Sequence, residues 1–389
     1  MRGGAFMKGL LKRLTPFATD QSGAVSALYE MGGLIVVCDA GGCTGNICGF
    51  DEPRWEHTRS AVFSAGLRDM DAILGRDELL VKKTVAAARE LGVPFAAVIG
   101  TPVPAVIGTD VRALARMGEK RLGIPFLPVT TTGTGLYDAG AGKALRALFE
   151  RFCPRGGNGA AEERREGCVG VLGATPLDLG RAEGGHLAAA FLRRGWKNCA
   201  CYGMGAGLGA VKEAAGVARN VVIAPSGMES ARYLLSAFGI PYSVAWPVVP
   251  RRIVEACSGA RRVLVIHQHV CACAVRRALE GVPPPQGGRI IVVGSFFERV
   301  PDLVRKGDLA FSGEDDLAKA LNGGGWDCIV ADAFLRRVMD CGAAERARWV
   351  DLPHFAVSGR LAEDGDCADG IDTGDLLTSA QCGGTPCER

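Results

Sequence analysis

The sequence has no apolar run that reaches the roughly 18 residues of a membrane-spanning helix, so no span is expected. It has no GxxxxGK(S/T) stretch, so the chain is not expected to hydrolyse ATP itself. It has no strong excess of one charge: 45 Lys and Arg stand against 42 Asp and Glu. The arginine pairs Arg193-Arg194, Arg251-Arg252, Arg261-Arg262 and Arg276-Arg277 are scattered and read as solvated helix ends, so nucleic acid is not an expected partner. It has neither a CxxC pair nor a CxxCxxC run, which sets aside a zinc knuckle and a simple ferredoxin. The start, MRGGAFMKGLLKRLTPF, has an apolar segment too short and too broken by charge for a signal peptide; it reads as a basic amphipathic helix, and the expected location is the cytoplasm.

What is abundant is cysteine, 15 in 389 residues. An odd count in a chain this long does not describe a small disulfide-stapled scaffold. In a reducing cytosol, thiols grouped in glycine loops point to metal or iron–sulfur ligation. Singles such as Cys153, Cys168, Cys257, Cys328 and Cys341 read as small buried hydrophobes.

The densest group lies in LIVVCDAGGCTGNICGFDEPRW, from Leu34 to Trp55. An apolar run ends in Cys38, and Cys43 and Cys48 follow at equal spacing. Gly41, Gly42 and Gly45 would let backbone amides approach a bound group. Three thiols leave one tetrahedral position open, which a second copy could fill across a two-fold axis. The other reading is a phosphate-cradling glycine loop with incidental cysteines.

Two further segments follow strands. His267, Gln268, His269, Cys271 and Cys273 come directly after the apolar run VLVI. Imidazole and thiolate are common transition-metal ligands, so His267 and His269 are candidate catalytic groups, with Cys271 and Cys273 beside them. The alternative is a helix N-terminus with buried cysteines and a capping histidine. The loop Gly203 to Gly209, which includes Met204, is not a clean GxGxxG, and it reads as the lining of a ligand crevice. Asp178, and Asp51-Glu52 with Arg54, are proton donors or anchors by this reading, and structural ion pairs by the plainer one.

Short β-branched runs alternate with Gly/Pro/Asp loops and helix-period segments in three sets, the pattern of parallel-sheet α/β architecture. Strands are expected at 34–37, 95–99 and 125–129; then at 168–172, 198–201, 220–224 and 242–245; then at 262–267, 289–293, 309–311, 327–331 and 355–357. Helices fit 77–91, 110–122, 139–152, 184–194, 208–215, 228–238, 270–280, 315–322 and 334–341. The expected division is an N-terminal extension, 1–28; an α/β domain with the thiol loop, 29–153; a linker, 154–167; a second domain, 168–250; a third, 251–360; and a cysteine-containing tail, 361–389. Ligands in such sheets bind beyond the carboxyl ends of the strands, in a central crevice.

Order and spacing of several segments resemble the nitrogenase component 1 family, the catalytic or scaffold subunits of nitrogenase and of nitrogenase-like reductases. VVCDAGGCTG is similar to the family's cluster-cysteine loop, and GTPVPAVIGTDVRALA to the entry to the helix after its second core strand. IPFLPVTTTGTG is similar to the strand and turn that follow, and GMGAGLGAVKEAAGVARNVVIAPSGMESARYLLSAFGIPY to the second-domain repeat. The resemblance implies three Rossmann-like domains around a crevice. It also implies a homodimer, or a heterodimer with a paralogous subunit, with a [4Fe–4S] or larger P-cluster-like iron–sulfur cluster at the interface. Electrons would come from a separate ATP-hydrolysing iron protein. Cys38 and Cys43 then fall on the cluster loop and Cys48 extends it, so that two copies offer six thiolates. Three departures stand out. Pro102-Val103-Pro104-Ala105 lacks a further cluster cysteine of the family. PSGMESARYLL lacks the cysteine that anchors the molybdenum–iron cofactor. The chain is also shorter than nitrogenase subunits. The expectation is the catalytic component of an ATP-dependent nitrogenase-like reductase, with a second metal or cofactor in the crevice near the HQHVCAC segment. The alternative is a non-catalytic scaffold for metallocluster assembly, and a weaker third reading is a metal-chelate binding protein.

Overall fold

In a computed structural model of the chain, residues 11–56, 60–75, 77–155, 165–180, 184–361 and 370–379 are described. The tail cysteines Cys367, Cys382 and Cys387, most of the expected linker and residues 1–10 of the expected amphipathic helix lie outside them.

Three parallel sheets follow one another. The first holds β1 (Leu34–Val37), β2 (Ala61–Ser64), β3 (Ala96–Ile99) and β4 (Phe126–Val129), in the order β2-β1-β3-β4. The second holds β5 (Arg165–Leu172), β6 (Asn198–Cys201), β7 (Val217–Val222) and β8 (Tyr242–Val244), in the order β8-β7-β5-β6. After the short β9 (Val249–Pro250), the third holds β10 (Arg262–Ile266), β11 (Ile290–Ser295), β12 (Leu309–Ala310), β13 (Cys328–Ala331) and β14 (Arg348–Asp351), in the order β12-β11-β10-β13-β14. Two short tail strands return to the second domain: β15 (Gly370–Ile371) pairs antiparallel with β9, and β16 (Leu377–Thr378) with β8. β1, β5 and β10 are each flanked by their neighbours on both sides, at the point where the strand order turns back. In open α/β sheets that is where ligands bind.

The expected architecture of three α/β units with parallel sheets is what the chain adopts, with local corrections. Residues 355–357, expected as a strand, form part of the short helix Phe355–Ser358, closed by Gly359 at φ 66°. The expected helix 334–341 is instead a 3₁₀ turn, Ala333–Val338, and a separate helix, Cys341–Arg346, which starts after Asp340. Strands β2 and β14 were not anticipated. Leu11 to Ala18 do not form the expected amphipathic helix. Their backbone is held extended against the third domain, where the Glu314 carboxylate accepts the amides of Lys12, Arg13 and Leu14 at 2.9, 3.0 and 3.1 Å.

Asp20–Leu28, which falls inside the expected extension, is a helix with all 9 residues buried. It crosses helix Tyr137–Phe152 at a pair of glycines. A Cβ at Gly23 would lie 1.8 Å from the Tyr137 carbonyl oxygen, and one at Gly140 would lie 1.7 Å from that of Asp20. Only hydrogen at both positions lets the backbones come this close. The largest core cluster runs through all three units, from Ile35 and Leu148 through Val171 and Tyr202 to Val265 and Cys271, so the sheet ends that carry the candidate groups converge. No helix among the described residues is long and apolar enough to cross a membrane.

Candidate functional site

The thiol loop leaves the carboxyl end of β1. Side chains alternate along a strand, and the alternation of β1 continues through Cys38. Leu34, Val36 and Cys38 share the outer core with helices Asp77–Leu91 and Val111–Leu122. Ile35 and Val37 face the inner core instead. Cys38 is 1% exposed, and burial, reinforced by the charges of Asp39 and Asp77, pushes its thiol up to about 12. Its carbonyl accepts the Thr101 hydroxyl at 2.5 Å. Cys43 and Cys48 are half-buried and pack at the margin of the inner core. The structure therefore brings Cys43 and Cys48 to the same margin and puts Cys38 on the other face of the sheet. Burial, then the charges of Glu52 and Asp39, raise the Cys48 thiol.

The turn between these cysteines is built on Asp39. Its buried carboxylate accepts the Thr44 amide at 2.7 Å, the Thr44 hydroxyl at 3.0 Å and the Ser64 hydroxyl at 2.6 Å, tying the loop to β2. Gly41 has φ 116°, a conformation that favours glycine. Side-chain positions at Gly42 and Gly45 meet only open space, so the backbone of the short helix Gly42–Asn46 is accessible there. Arg54 clamps the far end. Its Nε donates to Glu52 at 2.7 Å, and its terminal nitrogens donate to Glu52, to Glu30 at 2.8 Å, to the Ser26 carbonyl at 2.7 Å and to the Gly203 carbonyl at 2.8 Å. The guanidinium also sits over the Tyr29 ring, 4.7 Å from its centroid. Asp51 accepts the Ser22 hydroxyl at 2.6 Å and the Asn46 amide at 2.8 Å. Asp51, Glu52 and Arg54 are thus the structural anchors of the loop. Around it lie exposed apolar side chains: Phe50 is 75% and Val106 87% exposed, with Trp55, Val103 and Ile107 less so.

A second centre forms where the three sheets meet. Asp178 follows β5, His267 follows β10 and His354 follows β14, while Tyr137 comes from the start of its helix. All four are buried. The Tyr137 hydroxyl donates to Asp178 Oδ1 and lies 3.2 Å from His354 Nε2, which is 3.4 Å from Asp178 Oδ1. The rings of His267 and His354 stack at 4.1 Å, and His267 Nε2 lies 3.3 Å from the Pro353 carbonyl. Burial raises Asp178 to about 6 and depresses both histidines to about 3, so the imidazoles are neutral at pH 7. Cys271 is buried nearby, its thiol raised by burial and by Asp178.

His269, Cys273 and Met204 are placed elsewhere. His269 is buried in the first turn of helix His269–Glu280; its Nδ1 accepts the Val300 amide at 3.1 Å, and its Nε2 lies 3.7 Å from Cys273 Sγ. Arg276, next in line, is held by Asp308 at 2.7 Å. This is a packing arrangement remote from the His267–Asp178 centre. Met204 is buried in the turn after β6, whose Gly205 amide donates to Glu30 at 2.5 Å. Among the described residues, no three His, Cys, Asp or Glu side chains converge as a set able to hold a metal ion. The second metal expected in the crevice therefore has no ready-made cage in the buried centre. Tyr137 and His354 were missed by the sequence reading. The one available signal for His354 was a histidine directly after a strand, and that strand, RWVD, was not anticipated.

A family model described as nitrogenase component 1 type oxidoreductase matches residues 20–254, more than half of the chain. Two solved structures of nitrogenase Cp1 share the fold. The one at pH 6.5 aligns at TM-score 0.56 and 15% identity over 76% of this chain and 65% of its own. The one at pH 5 aligns at TM-score 0.63 and 14% identity over 90% of this chain and 85% of its own. No curated protein matches the sequence.

Proposed function

The chain belongs to the nitrogenase component 1 type oxidoreductases, and on that premise we propose that it is the electron-accepting catalytic component of an ATP-dependent reductase. The observation that carries the reading is the pair Cys43 and Cys48, half-buried on an open glycine turn and rimmed by exposed apolar side chains. A surface that presents two thiols and an apolar rim suits a second copy, or a paralogous chain, docked across a two-fold axis. Two thiols from each chain make four, the complement of a four-iron cluster, which favours [4Fe–4S] over a larger P-cluster-like group. The donor set fits such a group: soft thiols, backbone amides open at Gly42 and Gly45, and no lysine or arginine near enough to compete for the thiolates, since Arg54 is spent on Glu52 and Glu30. The orientation of Cys38 supports its role as a buried small hydrophobe.

A cluster held there would supply single low-potential electrons. Asp39 and Arg54 fix the loop that presents the thiols, and the sealed Tyr137–Asp178–His354–His267 centre keeps water away from the crevice wall. The absence of a phosphate loop is consistent with ATP hydrolysis by a separate iron protein, and a reducing cytoplasm suits this many thiols.

Anaerobic reconstitution, with iron and sulfide counted, EPR recorded and oligomeric mass measured, tests the proposal. About four irons per dimer are expected, lost in Cys43→Ala and in Cys48→Ala and kept in Cys38→Ala. Less than about one iron per chain after careful reconstitution would sink the cluster reading. Turnover with an iron protein, ATP and a reductant separates the enzyme from the scaffold. The enzyme sustains substrate-dependent ATP consumption; a scaffold hands its metal to an acceptor and does not.

A further inference from the structure

A line of carboxyl and imidazole groups runs from the surface into the buried centre, and the thiol loop makes no use of it. Glu298 is exposed at the start of the line. Its backbone amide donates to Oδ2 of the buried Asp138 at 2.6 Å. Asp138 Oδ1 has no hydrogen-bond partner among the described residues, and the charges of both Glu298 and Asp178 act on this carboxyl. Asp138 therefore stands between a surface carboxylate and the buried one. Next come Asp178 and the Tyr137 hydroxyl, then His354 Nε2 at 3.2 Å from that hydroxyl. The line ends at the stacked rings, where Nδ1 of His354 and Nδ1 of His267 are both buried without a partner. A buried polar atom left unpaired is destabilising unless something else meets it. Two of them side by side at a strand-end crevice point to a group that arrives there.

We propose that this line is a proton path, along which protons enter at Glu298, rest on Asp138 and Asp178, and pass through His354 to a substrate being reduced in the crevice. The proposal rests on the reductase reading for its final acceptor. The balance is simple. Each pair of electrons delivered to the substrate, supplied by the iron protein as reductant, is matched by two protons. For each one, the Asp178 carboxyl proton moves to His354 Nε2, the imidazole releases its Nδ1 proton to the substrate, and Asp138 reprotonates Asp178. A turn of the ring restores the starting tautomer. The groups facing Asp178 from the packed elements are Tyr137, His354, His267 and Cys271, and Asp332 faces His354 through its amide at 2.8 Å. Burial holds Asp138 at about 7 and Asp178 at about 6, where a carboxyl both gives and takes protons near neutral pH. The stacked imidazoles, held at about 3, pass a proton on without storing it.

Infrared spectroscopy on the full-length protein tests the path without needing turnover. A protonated-carboxyl carbonyl band that titrates near neutral pH is expected in the wild type and lost in Asp178→Asn. After a rapid acid jump, protonation of Asp178 should be at least tenfold slower in Asp138→Asn. Tyr137→Phe keeps the aromatic packing on Phe297 and His354 and removes only the hydroxyl. In reductase turnover, Tyr137→Phe and Asp178→Asn should each lower kcat at least tenfold, with KM and the cluster EPR signal unchanged. The path is overturned if no such band exists, if Asp138→Asn protonates as fast as wild type, or if Asp178→Asn turns over at the wild-type rate. If the wild type binds no cluster and reduces nothing, the reductase reading falls by itself. The acid-jump rate then decides the path: tenfold slowing keeps it and an unchanged rate ends it.

Discussion

Replacing Arg54 with alanine should open the thiol loop. Its guanidinium is 12% exposed and its main partner, the Glu52 carboxylate, 1%. Removing one member of a buried ion pair leaves the other charge without compensation, which typically costs about 3–5 kcal/mol. Here the Ser26 and Gly203 carbonyls and the Glu30 carboxylate lose donors as well. The described chain is a multidomain protein, so a single global unfolding energy is a poor measure of a local event. Amide hydrogen exchange is the better assay, because the loop is held by backbone bonds such as Glu52 amide to Ile47 carbonyl, 2.9 Å, and Trp55 amide to Glu52 carbonyl, 3.1 Å. If opening the loop breaks the clasp, about 3–5 kcal/mol at 1.4 kcal/mol per decade raises exchange by about two to four orders of magnitude. The effect should appear in peptides covering 47–55 and in the 203–206 turn, and not in β12 or β13. The neutral pair Arg54→Met with Glu52→Gln should recover more than half of the lost protection, because no uncompensated charge is left behind. Unchanged exchange at 47–55 in Arg54→Ala would refute the clasp. A double variant as exposed as the single one would refute the electrostatic reason given for it.

Three other predictions follow from the same structure. Gly140→Ala forces a methyl group against the Asp20 carbonyl and should destabilise the packing of helix Asp20–Leu28 by about 1–3 kcal/mol or more, read as a lower denaturation midpoint with faster exchange in that helix; a neutral result would mean that the two backbones are not in contact. Burial depresses His267 and His354 from 6.5 to about 3, so their contribution to stability is whole above pH 6.5 and is lost as pH falls below it; melting temperature should drop between pH 6.5 and 4, and less so in a His354→Gln variant. Burial raises Asp138 from 3.8 to about 7, so its contribution is present at low pH and is lost as pH rises through 7; Asp138→Asn should flatten the alkaline decline, and superimposable pH profiles would contradict the burial argument.

The three-sheet plan was legible because each parallel strand is a short β-branched run closed by glycine or proline, and because helices such as Asp77–Leu91 keep a clean apolar stripe. Helix Asp20–Leu28 was not, because a helix buried on every side has no polar face and no stripe. DQSGAVSAL instead reflects close approach to a neighbouring backbone. At the thiol loop, spacing put Cys38, Cys43 and Cys48 together. Alternation along β1 separates Cys38 from the other two, since a change of one position reverses the face a side chain meets. At the buried centre, Asp178 and His267 were legible as polar residues at strand ends. Their partners Tyr137 and His354 were not, because the contacts join positions 41 and 217 residues apart in the chain.

One element touches both centres, and it explains why they belong to one machine. Helix Asp20–Leu28 donates from Ser22 to Asp51 of the thiol loop and accepts Arg54 at Ser26. From its first turn, Asp20 accepts the amides of Thr132 and Gly133 at 3.0 and 2.7 Å, fixing the turn that leads into Tyr137 and Asp138. The glycine crossing then sets Tyr137 against the same helix with no side chain between them. A displacement of the thiol loop cannot be absorbed by a flexible side chain at that crossing, because none is present. It must either be resisted by the whole helix or be passed to the backbone that carries the Tyr137 hydroxyl. A device that accepts electrons at one end and handles protons at the other needs a fixed distance between them. The two glycines and the buried ion pair are what hold that distance.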